Sequence, residues 1–421
     1  MSKDMPDVRS LSRLCWENFE TVLRQWIQEL IQAALEDEVG RFLGRAKYER
    51  RDGTDAPRGY RNGFGKERNL TLCSGTITLR RPRVRDVDDP FESRLLPLFC
   101  SRTKEVDNLI PQLYLHGLAE GDFDLALRGL LGENAPISAS TVARLKEVWQ
   151  GQFEAWSKQP LDPVEVVYLW VDGLYVKAGL EKEKSAVLVA LAGLSDGRKK
   201  VLALRSGYRE SKESWAELLR DLKDRGMNCP RLVIGDGHLG IWGALAEIYP
   251  GADEQRCWNH KLVNVLDKLP KKAQGQGKAL LRRVMYAPSR EEAEQGRESF
   301  HQWCRERGYR SAGEVLDRDW ERMLAFYRYP KEHWGHLRTT NPIESPFSMV
   351  RLRTDAAKRY QKVERATAVI WKVLMVAEGQ FRRLNAPHLL EAVLEGQEFI
   401  NGVRHKRPRK EETEQILLHT Y

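Results

Sequence analysis

The hydrophobic period of this chain changes once, and that change limits the folds open to it. Apart from a short alternating stretch at 70–79, apolar residues up to Trp149 recur at three- and four-residue spacing, the repeat of amphipathic helices. Beyond Pro160 and Pro163 they form short unbroken runs instead. Segments 166–171, 186–194, 200–204 and 232–234 read as strands, with 252–257 as a fifth, edge strand. Segments 213–225 and 241–249 read as helices. Strands interleaved with helices predict a mixed α/β sheet. From 262 to 334 no strand pattern survives, so a helical segment rich in Lys, Arg, Glu and Trp follows the sheet. A Lys/Arg-rich helical region then reaches about 384. With 421 residues, 41% of them apolar, the chain can bury two or three cores.

Two acids stand where strands meet turns. Asp172 follows 166–171 and Asp236 follows 232–234. If these strands are parallel neighbours, both carboxylates meet at one sheet edge as hard oxygen ligands for Mg²⁺. Asp172-Gly173 also matches a hairpin turn. A third acid, Glu344, fits a capping box with Asn341 as N-cap and Pro342 at the first helical position. Cys257 and His260 form half of a zinc pattern. His238, His301, Cys304, His333 and His336 are available for the other half, but their spacing matches no zinc site. Phosphate-binding loops, esterase elbows and dinucleotide fingerprints are absent from the sequence.

The part before the sheet reads as a helix over 10–39, a Gly/Arg-rich stretch, a small hairpin with basic flanks around 70–79, and three helices. The helices run from Lys104 to His116-Gly117, over 122–131, and from Ser138 or Ser140 to Trp149. This resembles a helix-turn-helix whose last helix offers Ser140, Thr141 and Arg144 to a major groove.

Charge points to the partner. Sixty-nine Lys and Arg against 60 Asp and Glu give +9, and the excess sits in three blocks. Segment 41–85 holds 13 basic and 4 acidic residues, 351–383 holds 9 and 3, and 404–410 holds five basic residues. Such blocks suit the phosphate backbone of a polyanion. The charged start and the shortness of the longest apolar run, 186–194, predict neither secretion nor membrane insertion. The six scattered cysteines suit a reducing cytoplasm.

Four motifs in order then carry a family resemblance: Leu169-Trp170-Val171-Asp172-Gly173, Ile234-Gly235-Asp236-Gly237-His238, Cys257-Trp258-Asn259-His260 and Thr339-Thr340-Asn341-Pro342-Ile343-Glu344. The chain resembles bacterial insertion-sequence transposases of the Mutator superfamily. Gly59-Tyr60-Arg61-Asn62-Gly63, Leu95-Leu96-Pro97 and Ser138-Ala139-Ser140-Thr141-Val142 extend the resemblance into the amino-terminal part. Many members follow the Glu with Arg-Leu-Asn. This chain has Ser345-Pro346-Phe347, the mark of a distinct subgroup.

The resemblance implies an α/β fold: a ribonuclease H-like mixed-sheet catalytic core interrupted by an all-α insertion. A mainly α-helical amino-terminal DNA-binding region with a small β element precedes it. The expected divisions are 1–100 and 101–163 for that region, 164–261 and 336–384 for the core, 262–335 for the insertion and 385–421 for a basic tail. Asp172, Asp236 and Glu344 are implied as catalytic ligands of two Mg²⁺ ions, with Mn²⁺ as a substitute and Asp172 bridging both. Cys257 and His260 are implied as accessory to the active site. Arg58, Arg61, Lys66, Arg68, Ser140, Thr141, Arg144, Arg338, Arg351, Arg353, Lys358 and Arg359 are the expected DNA contacts. The implied function is cleavage at transposon terminal inverted repeats and joining of 3′-hydroxyl ends to target DNA. It would be carried out by a homodimer or higher oligomer in the cytoplasm, associated with the nucleoid. The alternatives are a structure-selective nuclease on the same fold and a non-catalytic DNA-binding derivative.

Overall fold

The computed structural model describes residues 15–50, 59–132, 139–177, 185–207, 210–237, 239–357, 360 and 362–405. The chain divides into two compact units, 1–145 and 146–421.

In the first unit, α1 (Phe19–Leu43) lies on a two-stranded antiparallel ribbon, β1 (Tyr60–Leu72) and β2 (Gly75–Arg85). The apolar stripe of α1 is used within the chain: Leu35, with Ile27 and Ile31 beside it, packs on Leu70, Ile77, Leu79 and Leu96. The Gln32 amide closes the contact, donating to Arg80 O and accepting from Arg80 N. The ribbon is longer than the 70–79 hairpin read from alternation. Residues 60–68 alternate poorly because two register shifts interrupt the pairing there, between Arg61 and Phe64 and between Phe64 and Glu67. Helix α2 (Lys104–Leu115) follows the predicted bounds, and α3 (Glu120–Leu131) starts two residues before the predicted 122. Helix α4 (Ala139–Trp156) begins near the predicted start and runs seven residues past Trp149.

The second unit is built on a five-stranded sheet of β3 (Val166–Val176), β4 (Ser185–Leu194), β5 (Lys199–Gly207), β6 (Leu232–Gly235) and β7 (Asp253–Arg256). Between them come α5 (Lys212–Asp224) and α6 (Leu239–Ile248). The spatial order is β5-β4-β3-β6-β7. The first three pair antiparallel, and β6 and β7 run parallel to β3. Near-continuous Val, Leu and Ala in β3 and β4 follow from burial on both faces. On one face, Leu169, Val171 and Val233 meet Trp215, Leu219, Ile241 and Leu245 of α5 and α6. Leu161, between the two prolines, is buried in the same core.

On the other face Tyr168 Oη lies 2.8 Å from His333 Nδ1, and Trp170 Nε1 donates to His336 O. A wholly helical stretch follows β7: α7 (Trp258–Leu266), α8 (Lys271–Met285), α9 (Arg290–Arg307), α10 (Arg310–Asp317), α11 (Trp320–Leu324) and α12 (Trp334–Leu337). Helices α13 (Asn341–Ala356), α14 (Val363–Glu378) and α15 (Leu390–Leu394) and the strand pair β8 (Phe399–Ile400) and β9 (Val403–Arg404) complete the unit. The exposed edge of β7 is covered. Gln255 donates to Met323 O and accepts from Phe326 N, and Trp258 Nε1 also donates to Met323 O.

Candidate active site

Asp172 is not at a strand end and does not turn a hairpin. Strand β3 runs straight through it to Val176, with Asp172 opposite Val189 of β4. Its other neighbour is β6, in parallel register with Trp170 opposite Ile234. Asp236 follows directly after Gly235, the last residue of β6, at the end of the sheet where Asp172 lies on the neighbouring β3, and its charge acts on Asp172. Strand alternation puts Asp172 on the face of Tyr168 and Trp170, the face on which α13 contacts β3. Glu344, in the first turn of α13, therefore meets the pair.

The charges act on one another. Burial raises the Asp172 carboxyl to about 7, against the Gly173 N–H that donates to it and the His260 charge; Asp236 and Glu344 add to the rise. Among the described residues Asp172 has no Lys or Arg partner. His260 is held up at about 9, first by its hydrogen bond with Cys257 and then by the nearby Asp172 and Glu344 carboxylates, with burial opposing. His260 Nδ1 stands 3.8 Å from Glu344 Oε1.

The Glu344 helix starts differently from the capping box read in the sequence. The N-cap is Thr340, and Asn341 lies inside the helix with its side chain accepting from Asn259 Nδ2. Glu344 accepts from the Thr340 hydroxyl rather than from the Asn341 backbone. Thr340 Oγ1 also lies 3.2 Å from Cys257 Sγ and 3.5 Å from His260 Nδ1, and Thr340 N donates to Cys257 Sγ at 3.3 Å. Cys257, His260 and Glu344 thus bring ligand atoms within 4.8 Å of one another. The other zinc candidates lie elsewhere. His301 pairs with Asp317, His333 with Tyr168 and His336 with Asn385 N; Cys304 is buried among α9 side chains, and His238 lies outside the described residues.

One neighbour was not legible in the sequence. Buried Glu210 lies where a Cβ on Gly173 would be, and it takes the hydrogen bond of Tyr175, whose phenol is pushed up to about 12 by burial and then by Glu210.

A scan for related proteins decides the family, because the sequence model of the "Transposase, Mutator family" matches residues 7–383. The chain belongs to the Mutator family of transposases. It is 44% identical over 303 residues to the transposase for insertion sequence element IS6120 of Mycolicibacterium smegmatis, covering 72% of this chain and 94% of that one. To the transposase for element IST2 of Acidithiobacillus ferrooxidans it is 36% identical over 280 residues, 66% of this chain and 94% of the relative. To that for IS256 in transposon Tn4001 of Staphylococcus aureus it is 25% identical over 378 residues, 84% and 94%.

The expected DNA contacts of this Mutator transposase divide sharply. Arg351 and Arg144 are exposed, as is Lys66 on the ribbon. Arg353 is 1% exposed, so it is a core residue of α13 and not a phosphate contact. Thr141 is buried beside Arg102 Nη1 and does not face a groove. Arg61 donates to Ala46 O and Arg45 O, and Arg68 to Cys100 O, so both tie the ribbon to the chain. Arg338 lies 4.9 to 5.3 Å from the rings of Phe326, Tyr286 and Trp334, an aromatic clasp rather than an open phosphate site. Arg58, Lys358, Arg359 and the Ser140 side chain lie outside the described residues. Alternation missed exposed Arg83 and Arg85 on β2, which add to the basic surface of the ribbon. Among the described residues no helix is long and apolar enough to cross a membrane.

Proposed function

We propose that this transposase binds its element's terminal inverted repeats, cleaves DNA strands hydrolytically at a ribonuclease H-like Asp-Asp-Glu centre, and joins the freed 3′-hydroxyl to target DNA. The observation that carries the reading is that Asp172 of β3, Asp236 just past the neighbouring parallel β6, and Glu344 of α13, which packs on β3, act on one another's charge. The strand order, antiparallel across β5-β4-β3 and parallel across β3-β6-β7, supports the fold reading, and the helical stretch before Glu344 supports an insertion. The donor set suits a hard divalent cation: three carboxylates, with the most buried lacking a Lys or Arg partner among the described residues. Asp172, Asp236 and Glu344 would hold Mg²⁺, two ions in the full site, with Mn²⁺ as a substitute. Bound there, the cation supplies the Lewis acidity that in-line displacement at phosphorus requires.

The chain's own residues do the rest. His260, positively charged at neutral pH, offsets the mutual repulsion of the acids and stays beside Glu344. Arg351, about two turns along the same face of α13 from Glu344, holds a DNA phosphate near the centre. Lys66, Arg83 and Arg85 of the ribbon and Arg144 of α4 add contacts that fix the DNA without reading sequence. Pairing two ends calls for at least two copies of the chain.

The test uses a labelled duplex carrying the element's own ends, with Mg²⁺, and compares the wild type with Glu344→Gln. The wild type should cleave and join, whereas the variant should bind DNA and do neither. A variant that still joins removes Glu344 from the centre. A wild type that cleaves but never joins is a nuclease instead.

A further inference from the structure

Asp172 lies on β3 and Asp236 directly after the neighbouring β6, but Glu344 arrives on a helix that begins more than a hundred residues after β6. Something must hold that helix in register with the strands. The N-cap threonine has an unusual duty. A Thr at this position ordinarily caps a backbone N–H in the first turn. Thr340 makes no such cap, although it is 0% exposed. Its hydroxyl is turned to Glu344 Oε1 and to Cys257 Sγ, and its backbone N–H also donates to Cys257 Sγ. Cys257 is likewise 0% exposed, and its own N–H donates to Gly235 O at 2.7 Å, the residue just before Asp236. The next residue, Trp258, donates its N–H to Arg338 O at 2.9 Å, two residues before Thr340. An unbroken chain of hydrogen bonds therefore runs from the end of β6 through Cys257 and Thr340 to the third carboxylate.

We propose that Thr340 and Cys257 are positioning residues: together they set Glu344 against Asp172 and Asp236, with the cysteine sulfur serving as a hydrogen-bond acceptor rather than as a metal ligand. The inference rests on the catalytic reading above and deepens it. A hydroxyl has one proton, so Thr340 Oγ1 donates to Glu344 or to Cys257 at any moment; the Thr340 N–H keeps the sulfur contact in either case. Among the described residues no fourth His, Cys, Asp or Glu joins Cys257, His260 and Glu344, so the trio falls short of the four protein ligands of a structural zinc site.

The test takes full-length Thr340→Val, Thr340→Ser, Cys257→Ala and Glu344→Gln through three readouts: duplex binding, 3′-end joining at saturating DNA, and the rise in melting temperature on titrating Ca²⁺ alone. Removing a partner that orients a ligand typically costs 10- to 100-fold in activity or metal affinity. Thr340→Val should therefore join about 10²-fold more slowly and need correspondingly more Ca²⁺ for its thermal shift, with duplex binding unchanged. Thr340→Ser, which keeps the hydroxyl, should recover most of both. Cys257→Ala should fall between, because Thr340 still holds Glu344 but loses its anchor. If Glu344→Gln is inactive while Thr340→Val and Cys257→Ala join and respond to Ca²⁺ like the wild type, the positioning role is overturned and the catalytic reading survives. If Glu344→Gln joins normally, the catalytic reading itself fails. Should Thr340→Val not fold, Thr340→Ser and Cys257→Ala decide the matter by the same readouts.

Discussion

The sheet-borne acids and the helix-borne acid of this transposase are held in different ways. Asp172 is set inside β3, paired with Val189 of β4, and Asp236 directly follows β6, which pairs parallel with β3, so both are carried by the sheet. Glu344 is placed by side chains, through Thr340, Cys257 and the neighbouring His260. A position fixed by backbone pairing tolerates substitution in its surroundings. One fixed by two or three side chains depends on each of them. The strand pair should therefore show its sensitivity in the acids alone, and the helix should show it in the acid and its supports.

The largest effect should come from the acids themselves. Asp172→Asn and Asp236→Asn are expected to lower joining by at least about 10³-fold, the scale of losing a principal charge-stabilising group, with duplex binding retained. Circular dichroism and melting curves of both variants should match or exceed the wild type, because the strands keep their pairing and Asp172→Asn removes a buried charge. A collapse of either variant would show that the carboxylates, and not the backbone, hold the two strands together.

The strand side has one weak point next to its acid. At Gly173 an added Cβ would collide with the buried Glu210 carboxylate. Gly173→Ala is expected to cost about 1–3 kcal/mol by overpacking, read by denaturant unfolding, and to lower joining with it. Gly173→Ala combined with Glu210→Ala should regain stability, since the colliding group is gone. If stability stays low in the pair, the clash is with the sheet itself.

Much of this arrangement could be read from the residues. Apolar runs marked four of the five strands, since a strand buried on both faces has no alternative use for Val-Leu-Val-Ala-Leu. The fifth, β7, is Asp-Glu-Gln-Arg and sits at the edge, within the 252–257 segment read as an edge strand. The acids were visible as polar residues at the ends of such runs. What escaped was set by contacts between distant segments. The Asp172-Gly173 dipeptide reads equally as a turn, and only its pairing with Val189 shows that the strand continues. The Asn341-Pro342 pair suggests a cap one residue late, because the deciding partner, Cys257, lies more than eighty residues away. Charge counting could not separate Arg351 from Arg353: two residues on a helix differ by about 200° in direction, so one faces solvent and the other the core.

That pair offers the next comparison. Arg353→Ala should destabilise the fold by about 2 kcal/mol through lost packing, with duplex affinity changing only as much as the folded fraction does. Arg351→Ala should leave the melting temperature unchanged, weaken duplex binding severalfold and reduce the salt slope of binding by about 1. Equal effects of both on affinity at constant stability would place Arg353 on the DNA and overturn its assignment to the core.

The smallest expected effect is a slope. In cation-free protein, Asp172 titrates near 7 instead of the ordinary 3.8, so between those values the folded chain keeps a proton that the unfolded chain has lost. His260 titrates near 9 instead of 6.5, so the folded chain again holds the extra proton between 6.5 and 9. Stability changes with pH as the protons bound by the unfolded state minus those bound by the native state, and both differences are negative. The melting temperature in chelator should therefore fall as pH rises from about 4 to 9. Asp172→Asn should flatten the lower half of that decline, below about 7, and His260→Gln the upper half. Saturating Mg²⁺ should flatten the lower half in the wild type, because a bound cation stabilises the ionised Asp172 in the folded state, and should do nothing there to Asp172→Asn. A wild-type slope insensitive to Mg²⁺ would mean that the buried strand acid does not meet the cation, leaving the side-chain-held Glu344 as its principal contact and reversing the contrast between the two halves of the site.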